Sequence, residues 1–357
     1  MNYYVKNYCK QEVSDSDAIE ACLKEAVQSS EKRTIIFDGK DYYIDRAILV
    51  PSDTEIIVDG CMIKQKEQVF DNIFRGANLI LDEEYPYGAP LEVKPQQNIR
   101  ILGKNGARLM GTALPKVGYH TFLQEEQLMV GDFWGWRTHM LSFSRGVNIE
   151  IGGLSLSQTM GWSTCFDSCS EVYVHDMDIR SHVKNGDGVN FRSGCHHCRI
   201  ENITGFTSDD TVACTALGKK GERVPNNRQS KYLYPGEPYN STGHDGSRDI
   251  HDISIKNIKT GGRMHGIICL TSRGNQVYNV SIENVDEQHE GYRESTVKLY
   301  TGYGDGVYNP GDLHDITVRN VTGRMSKYAV QTNAELKNVT VENITQLNPE
   351  GEVSIGF

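Results

Sequence analysis

Alternating apolar and polar residues dominate the chain from residue 147 onward. One short pattern, which usually closes on Asn or Asp before a further apolar residue, recurs in seven segments: Val147–Ile151, Val172–Ile179, Cys198–Ile203, Ile250–Ile258, Val277–Val285, Leu313–Val321 and Leu336–Ile344. A period of two predicts strands, and Asn or Asp at a fixed position predicts a tight turn. The copies follow one another at intervals of about 23 to 50 residues, which is typical of repeat architectures. The pattern therefore predicts a β-solenoid with a few long loops.

The N-terminal part of the chain has a different pattern. Apolar residues of Ala18–Val27 recur at helical spacing behind the capping residues Ser14–Asp17, so we predict a helix over about residues 12–30. From Arg33 onward the period changes to two, which predicts short strands. A helix in this position is expected to cap the solenoid, since an uncovered strand edge invites aggregation. We expect one domain over residues 1–357, with a long loop at about 216–249 that could wall a site.

The composition excludes several kinds of partner. The formal net charge is -10 and the pI is about 5.6, so a phosphate-binding surface for nucleic acid is not expected. The sequence contains no apolar run long enough for a membrane span and no signal-peptide layout at its start. We therefore expect a cytoplasmic protein, or a secreted one if a leader was removed. The oligomeric state stays open.

The nine cysteines form no disulfide framework, because their number is odd and their spacing is not paired. Reduced, buried thiols are expected. The segment Cys195–Cys198, with two histidines between the thiols, resembles a metal clip, but zinc sites usually need separated ligand pairs. We interpret its cysteines as buried and predict neither a metal ion nor a cofactor.

Three aspartates stand out against the repeats. Asp187 lies in an Asn-Gly-Asp-Gly segment that begins at Asn185, and the pair Asp209 and Asp210 follows 22 residues later. If one coil takes about this length, the carboxylates of neighbouring coils stack about 4.8 Å apart. Consecutive residues of a regular strand point to opposite faces, so Asp209 and Asp210 can share a site only where the backbone bends.

Several of these segments resemble motifs of glycoside hydrolase family 28, the polygalacturonases and their relatives. Asn185–Gly188 stands where that family has N-T-D-G, Ser208–Ala213 where it has G-D-D-C-I-A, Met264–Gly266 where it has G-H-G, and Lys298–Tyr300 where it has R-I-K. The resemblance covers most of the chain and implies an all-β fold, a right-handed parallel β-helix of one domain with a short N-terminal capping helix. The departure at Lys298–Tyr300 matters most, since the family's cations receive the carboxylate of a uronic acid.

The resemblance also implies roles for these residues. Inverting hydrolysis of a glycosidic bond needs one carboxyl that donates a proton and one carboxylate that activates water. Asp210 is expected to be the acid, with Asp187 and Asp209 holding the water and His265 orienting the carboxylates.

The remaining predicted residues would bind an oligo- or polysaccharide of the pectin type. By resemblance, Lys298 and Tyr300 contact the sugar, and Tyr303 and Asn185 lie beside it. Aromatic faces and Arg pack on sugar rings, so a further lip is predicted at three residues: Trp134, Trp136 and Arg137. His139 belongs to the same stretch. For all four residues, packing inside the protein is an equal alternative to a sugar-binding lip. Trp162 is interpreted as structural. The recurring asparagines are expected to form a turn ladder with backbone hydrogen bonds.

Three other hypotheses stay open: a β-helix hydrolase for a neutral sugar, a polysaccharide lyase, and a solenoid that binds glycans or serves as a spike without catalysis. A lyase would release an unsaturated product, and a binding solenoid would keep its properties without Asp210.

Overall fold

Parallel strands dominate the computed structural model of this protein. It describes residues 1–29, 31–67, 69, 71–80, 92–113, 139–183, 185–217, 247–303, 306–333 and 335–355. Two long parallel sheets run through the described part of the chain, and the strands of one alternate along the sequence with those of the other. Each coil thus contributes a strand to both sheets, so the predicted β-helix is confirmed.

The first sheet contains fifteen of the described strands. Eleven pair in this order: β1 (Asn2–Tyr4), β2 (Arg33–Phe37), β5 (Thr54–Asp59), β10 (Gln96–Lys104), β13 (Gly146–Gly152), β16 (Ser170–Ser181), β18 (His196–Thr207), β20 (Ile250–Gly262), β22 (Val277–Asp286), β24 (Leu313–Gly323) and β26 (Lys337–Gln346). Four short strands pair off this path: β3 (Tyr42–Ile44), β6 (Met62–Gln65), β11 (Arg108–Met110) and β14 (Ser155–Ser157).

The second sheet positions the candidate site. Its ten described strands are β4 (Ile48–Val50), β7 (Phe74–Gly76), β12 (Leu141–Ser144), β15 (Thr164–Asp167), β17 (Val189–Arg192), β19 (Val212–Ala216), β21 (His265–Thr271), β23 (Ser295–Tyr300), β25 (Tyr328–Thr332) and β27 (Glu352–Ile355). Two further strands, β8 (Leu79–Ile80) and β9 (Glu92–Val93), form a small antiparallel pair.

Stacks of identical or similar apolar side chains fill the interior of the coil. Strand pairing brings residues of successive coils side by side in one fully buried column: Val174, Ile200, Ile255, Ile282 and Val318. On the second sheet Phe143, Phe166 and Phe191 stack with ring centroids 6.2 and 5.6 Å apart. Burial of these stacks supplies the main stabilisation, since each large apolar side chain contributes about 1.5–3 kcal/mol.

A ladder of asparagines bends the long strands of the first sheet. The residues at this position adopt a left-handed conformation, which Asn tolerates better than most residues: Asp176, Asn202, Asn257, Asn284, Asn320 and Asn343. The amide of Asn257 donates to the side-chain oxygen of Asn202 at 3.0 Å, and Asn284 donates to Asn257 at 3.0 Å. The predicted ladder is confirmed, but its rungs join side chain to side chain, because each amide carries both a donor and an acceptor.

The helix α1 (Asp15–Ala26) lies within the predicted range. The hydroxyl of Ser14 accepts a hydrogen bond from the backbone N–H of Asp17 at 3.1 Å, which caps the helix. Its apolar face, with Ile19, Cys22 and Leu23, belongs to the same buried core as the first coil. The helix therefore covers apolar residues at this end of the solenoid.

All nine cysteines are free, and eight of them are buried. Both thiols of the Cys195–Cys198 segment are among the buried ones, as predicted. Within the described part of the chain, no helix combines the length and the hydropathy that crossing a bilayer requires.

Candidate active site

A row of polar side chains crosses the second sheet where its strands begin. The pairing of β17 with β19, and of β19 with β21, fixes the register of three coils. Asp187 and Asp210 lie two residues before the first pair of β17 with β19, and Asp210 and His265 lie two residues before the first pair of β19 with β21. The three residues therefore occupy the same position on consecutive coils. The backbone N–H of Gly188 donates to the carbonyl of Asp210 at 2.8 Å, and that of Thr211 to the carbonyl of His265 at 3.1 Å. Neighbouring members of the row thus lie on adjacent strands, whose backbones are about 4.8 Å apart.

Two glycines allow the backbone to approach closely at Asp187. A Cβ on Gly186 would lie 2.6 Å from the carbonyl oxygen of Val183, and a Cβ on Gly188 would lie 2.4 Å from that of Thr211. Asn185 before them adopts a left-handed conformation with φ of 52°. The tight turn explains why a glycine, not a threonine, occupies position 186.

Asp209 and Asp210 lie in a turn and not in a regular strand. Strand β18 ends at Thr207 and β19 begins at Val212. The hydroxyl of Thr207 donates to the carbonyl of Asp209 at 3.0 Å and is 2.8 Å from the hydroxyl of Thr211. The backbone therefore bends at the aspartate pair, which is the bend that a shared site requires. Asp209 is half-buried, and its role stays a prediction.

A chain of acidic and basic side chains leads away from Asp210. The Nδ1 of His265 is 2.7 Å from the Oδ1 of Asp210, and its Nε2 is 3.4 Å from the Oε2 of Glu294. The other oxygen of Glu294 is 3.2 Å from the Nζ of Lys298. The side chain of His265 is only 7% exposed, so its contact with Asp210 lies largely out of water, where electrostatic interactions are stronger.

Glu294 is held in its charged form by this network. Burial alone would raise its pKa, but the charge and hydrogen bond of Lys298, together with His265, lower the pKa below the usual value for glutamate. Glu294 also accepts from the side chain of Gln331 at 3.5 Å. The chain from Asp210 to Lys298 therefore contains two carboxylates with a histidine between them.

A buried arginine lies behind Asp210. One guanidinium nitrogen of Arg293 donates to the hydroxyls of Thr211 and Thr260, each at 3.0 Å. Burial lowers the pKa of Arg293 to about 10, while the negative charges of Glu287 and Asp210 oppose the shift. Arg293 is thus protonated near neutral pH and places a positive charge close to Asp210.

The strand β23 carries two of the predicted sugar-binding residues on its outer face. The Nζ of Lys298 is 5.0 Å from the ring centre of Tyr300. Tyr300 packs against a small apolar cluster on the outside of the sheet that includes Ile268 and Leu270. Tyr303 follows the strand and is 58% exposed. An aromatic ring, an apolar surface and a cation thus lie side by side on two neighbouring coils.

Trp162 occupies the same row, one coil before Asp187. It is buried, and its ring stacks on His139 with centroids 5.0 Å apart and planes 5° apart. The guanidinium of Arg192 lies 5.1 Å from the Trp162 ring centre. His139 is buried too, so the packing alternative holds for this residue and the sugar-stacking one does not. The other residues of that predicted lip, Trp134, Trp136 and Arg137, fall outside the described residues.

Sequence reasoning missed Glu294, Arg293 and Gln331. Glu294 and Arg293 directly precede β23, and no motif includes them. The register between coils was the signal that could have found Glu294, because the pairing places Ser295 opposite His265. That register depends on loop lengths, which the repeat pattern does not reveal.

No model of a known protein family matches the chain, and no curated protein does. Solved structures do resemble it. An exopolygalacturonase from Thermotoga maritima has a TM-score of 0.56 and 14% sequence identity, and the match covers 97% of this chain and 88% of that one. A 1,3-α-1,4-β-D-galactose-4-sulfate-3,6-anhydro-D-galactose-2-sulfate 4-galactohydrolase has a TM-score of 0.56 and 11% identity, covering 99% and 90%.

A third similar structure comes from a virus. A mutant tailspike protein of E. coli bacteriophage HK620, in complex with a pentasaccharide, has a TM-score of 0.64 and 11% identity, and the match covers 99% of this chain and 64% of that one. These similarities define the class of protein: the chain is a right-handed parallel β-helix. Its fold is the one found in an exopolygalacturonase, a galactohydrolase and a phage tailspike.

Proposed function

We propose that this protein hydrolyses glycosidic bonds in an oligo- or polysaccharide, with the row of Asp187, Asp210 and His265 as its catalytic centre. The observation that carries the proposal is that row: two carboxylates and an imidazole on three consecutive coils, with Asp210 bonded to His265 at 2.7 Å. Glycoside hydrolysis needs a pair of carboxyl groups around one bond. Two of the similar folds belong to proteins whose names state a glycan hydrolase activity.

The surroundings of Asp210 favour a revised division of roles. Asp210 lies in one row with Asp187 on consecutive coils and contacts His265 at 2.7 Å, whereas Asp209 lies outside that row. We therefore assign Asp210, together with Asp187, to the activation of water. Asp209, which is half-buried, is assigned as the acid that protonates the leaving oxygen. The reaction would invert the anomeric centre, as the resemblance to the polygalacturonases implies.

A galacturonic acid unit of the pectin type is the first proposed substrate. The chain is acidic overall, so an anionic sugar needs a local cation, and Lys298 supplies one beside Tyr300. The products would be shorter oligosaccharides. Neither a metal ion nor a cofactor is needed for this chemistry.

A neutral sugar is the second proposed substrate, and one contact favours it. Glu294 is 3.2 Å from Lys298, so the charge that would attract a uronate carboxylate is already balanced. A sugar hydroxyl can accept from the ammonium and donate to Glu294 at the same time. Removing the charge of Glu294 should therefore strengthen the binding of a uronate and weaken the binding of a neutral sugar.

Incubation with oligogalacturonides and a matched set of neutral oligosaccharides tests the proposal. We expect new reducing ends from one set, and proton NMR of the first product should show the inverted anomer. The Asp210→Asn variant should release them roughly 10²- to 10⁴-fold more slowly. An unsaturated product that absorbs in the ultraviolet would instead identify a lyase. Saturable binding of a glycan without turnover, unchanged in Asp210→Asn, would identify a binding solenoid.

A further inference from the structure

Three histidines and an aspartate meet at the surface, beyond the end of β17 that is opposite Asp187. The pairing of β18 with β20 places His196 beside His251, and their rings stack with centroids 5.0 Å apart and planes 5° apart. His197 and Asp252 follow these residues on the same two coils. The thiols of Cys195 and Cys198 are buried in the core, so they take no part in this surface cluster.

The nitrogen and oxygen atoms of the cluster converge. One carboxylate oxygen of Asp252, Oδ2, is 2.7 Å from the Nδ1 of His251 and 3.5 Å from the Nε2 of His197. The second nitrogen of the His197 ring, Nδ1, is 2.8 Å from the Nδ1 of His196. His197 is thus held between a neighbouring imidazole and a carboxylate of the next coil.

Position 197 is occupied by a histidine, whereas the later coils have Asn or Asp at the same position of the turn. His197 adopts a left-handed conformation with φ of 54°, and the later coils place Asp252, Asn279, Asp315 and Asn338 in the same conformation. On those coils the amide of Asn338 donates to Asp315 at 3.0 Å, which is an ordinary rung. An imidazole in place of Asn or Asp brings a metal-binding nitrogen to a position where the fold needs none.

We propose that His197, His251 and Asp252 bind one divalent transition-metal ion, with Zn²⁺ as the best fit. Ligand atoms of the three residues lie within 4.8 Å of one another. Zinc bonds to nitrogen and oxygen are about 2.0–2.2 Å, so neighbouring ligands of a tetrahedral ion are about 3.3 Å apart. The distances of 2.7 and 3.5 Å around Asp252 lie on either side of that value.

The donor set explains the choice of ion. Imidazole nitrogens favour zinc, copper and nickel over magnesium and calcium, which prefer oxygen. The carboxylate of Asp252 adds an oxygen donor, which zinc also accepts. The Nδ1 of His196 is 2.8 Å from the Nδ1 of His197, so His196 orients His197 as a positioning residue. The ion would join two coils and leave a fourth position for water.

Calorimetric titration of chelator-treated protein with ZnCl2 tests the site. We expect one equivalent to bind saturably and to raise the melting temperature, since an ion that binds only the folded state stabilises it. His197→Asn should weaken binding by more than the roughly 10- to 100-fold that loss of an outer-shell partner costs. Asparagine occupies the same position on other coils, so this variant is expected to fold, which circular dichroism checks. His251→Gln should have the same effect.

His314→Gln is the matched control. His314 makes the same contact with its own neighbour, 2.6 Å to Asp315, yet the residue at the His197 position on the preceding coil is Asn279. This variant should leave the affinity for Zn²⁺ unchanged. Replacing Zn²⁺ by Co²⁺ should give a visible spectrum without a thiolate band, which separates this site from the cysteines. Failure to bind Zn²⁺ saturably, or equal affinity in His197→Asn, would overturn the proposal.

Discussion

At the scale of single residues, the contacts of Asp210 decide the chemistry that is proposed here. Asp210 lies 2.7 Å from His265, and Asp187 occupies the same position on the preceding coil. Asp209 lies outside this row. Two carboxylates in one row suit the activation of a water molecule, which leaves the proton donor to Asp209.

Substitution of each aspartate separates these roles. Asp210→Asn and Asp209→Asn should each lower kcat/KM on a natural oligosaccharide by roughly 10²- to 10⁴-fold, the usual contribution of an acid or base. On an aryl glycoside with a good leaving group, Asp209→Asn should recover most of its rate, because the leaving oxygen needs no proton. Asp210→Asn should not recover.

Asp315→Asn serves as the control for that pair, because Asn occupies its position on the neighbouring coils. It should keep full activity. Recovery of Asp210→Asn instead of Asp209→Asn on the aryl substrate would return the acid role to Asp210.

Glu294 controls the charge that a sugar meets at Lys298. Glu294→Gln should lower KM for an oligogalacturonide by roughly two- to fivefold, the size expected for a partly exposed ion pair. Lys298→Met should raise the same KM. Steady-state kinetics on matched charged and neutral substrates measures both effects. A higher KM for the uronide in Glu294→Gln would argue for the neutral sugar.

At the scale of the structural element, the long strands of the first sheet bend at the asparagine ladder. Six strands of that sheet, β16, β18, β20, β22, β24 and β26, each contain a ladder residue in the left-handed conformation, and its side chain hydrogen-bonds to a neighbouring coil. The asparagine ladder thus sets the bend and connects the coils through the same side chains.

Substitution of Asn257, in the middle of the ladder, measures how much the ladder contributes to stability. Asn257→Ala should lower the free energy of unfolding by about 1–3 kcal/mol, from lost hydrogen bonds and from a strained left-handed alanine. Asn257→Gly loses the same bonds without the strain, so it should be less destabilising. Urea unfolding followed by circular dichroism gives both values. Equal destabilisation by Ala and Gly would show that backbone strain contributes nothing at this position.

At the scale of the whole molecule, the helix α1 closes an end of a stack that would otherwise expose apolar side chains. Each coil of a solenoid packs against its neighbours. Ile19, Cys22 and Leu23 of the helix belong to the continuous core and pack where a further coil would otherwise lie.

Truncation of the helix face should therefore weaken the solenoid from this end. Ile19→Ala should cost about 2–5 kcal/mol, as for other large-to-small changes in a packed core. Lys24→Ala, on the exposed face of the same helix, should change stability by less than about 0.5 kcal/mol. Thermal unfolding and light scattering compare the two. An Ile19→Ala protein as stable as the Lys24→Ala protein would show that the helix is not a cap.

Much of the architecture was available from the amino-acid sequence alone. The alternation of apolar and polar residues, the recurring asparagines and the helical spacing of Ala18–Val27 depend only on neighbours along the chain. They determined the β-solenoid, its ladder and its capping helix. The motifs around Asp187, Asp209 and His265 indicated where carboxylates and an imidazole would collect.

The tertiary structure alone decided which side chains from different coils touch. Loops of unequal length separate the repeats, so the register that brings Glu294 to His265, and His197 to Asp252, cannot be counted along the sequence. Burial of Arg293 and His139 likewise depends on packing between coils. Local patterns determined the fold because strands and turns are local; the sites needed the structure because their residues meet only when separate coils stack.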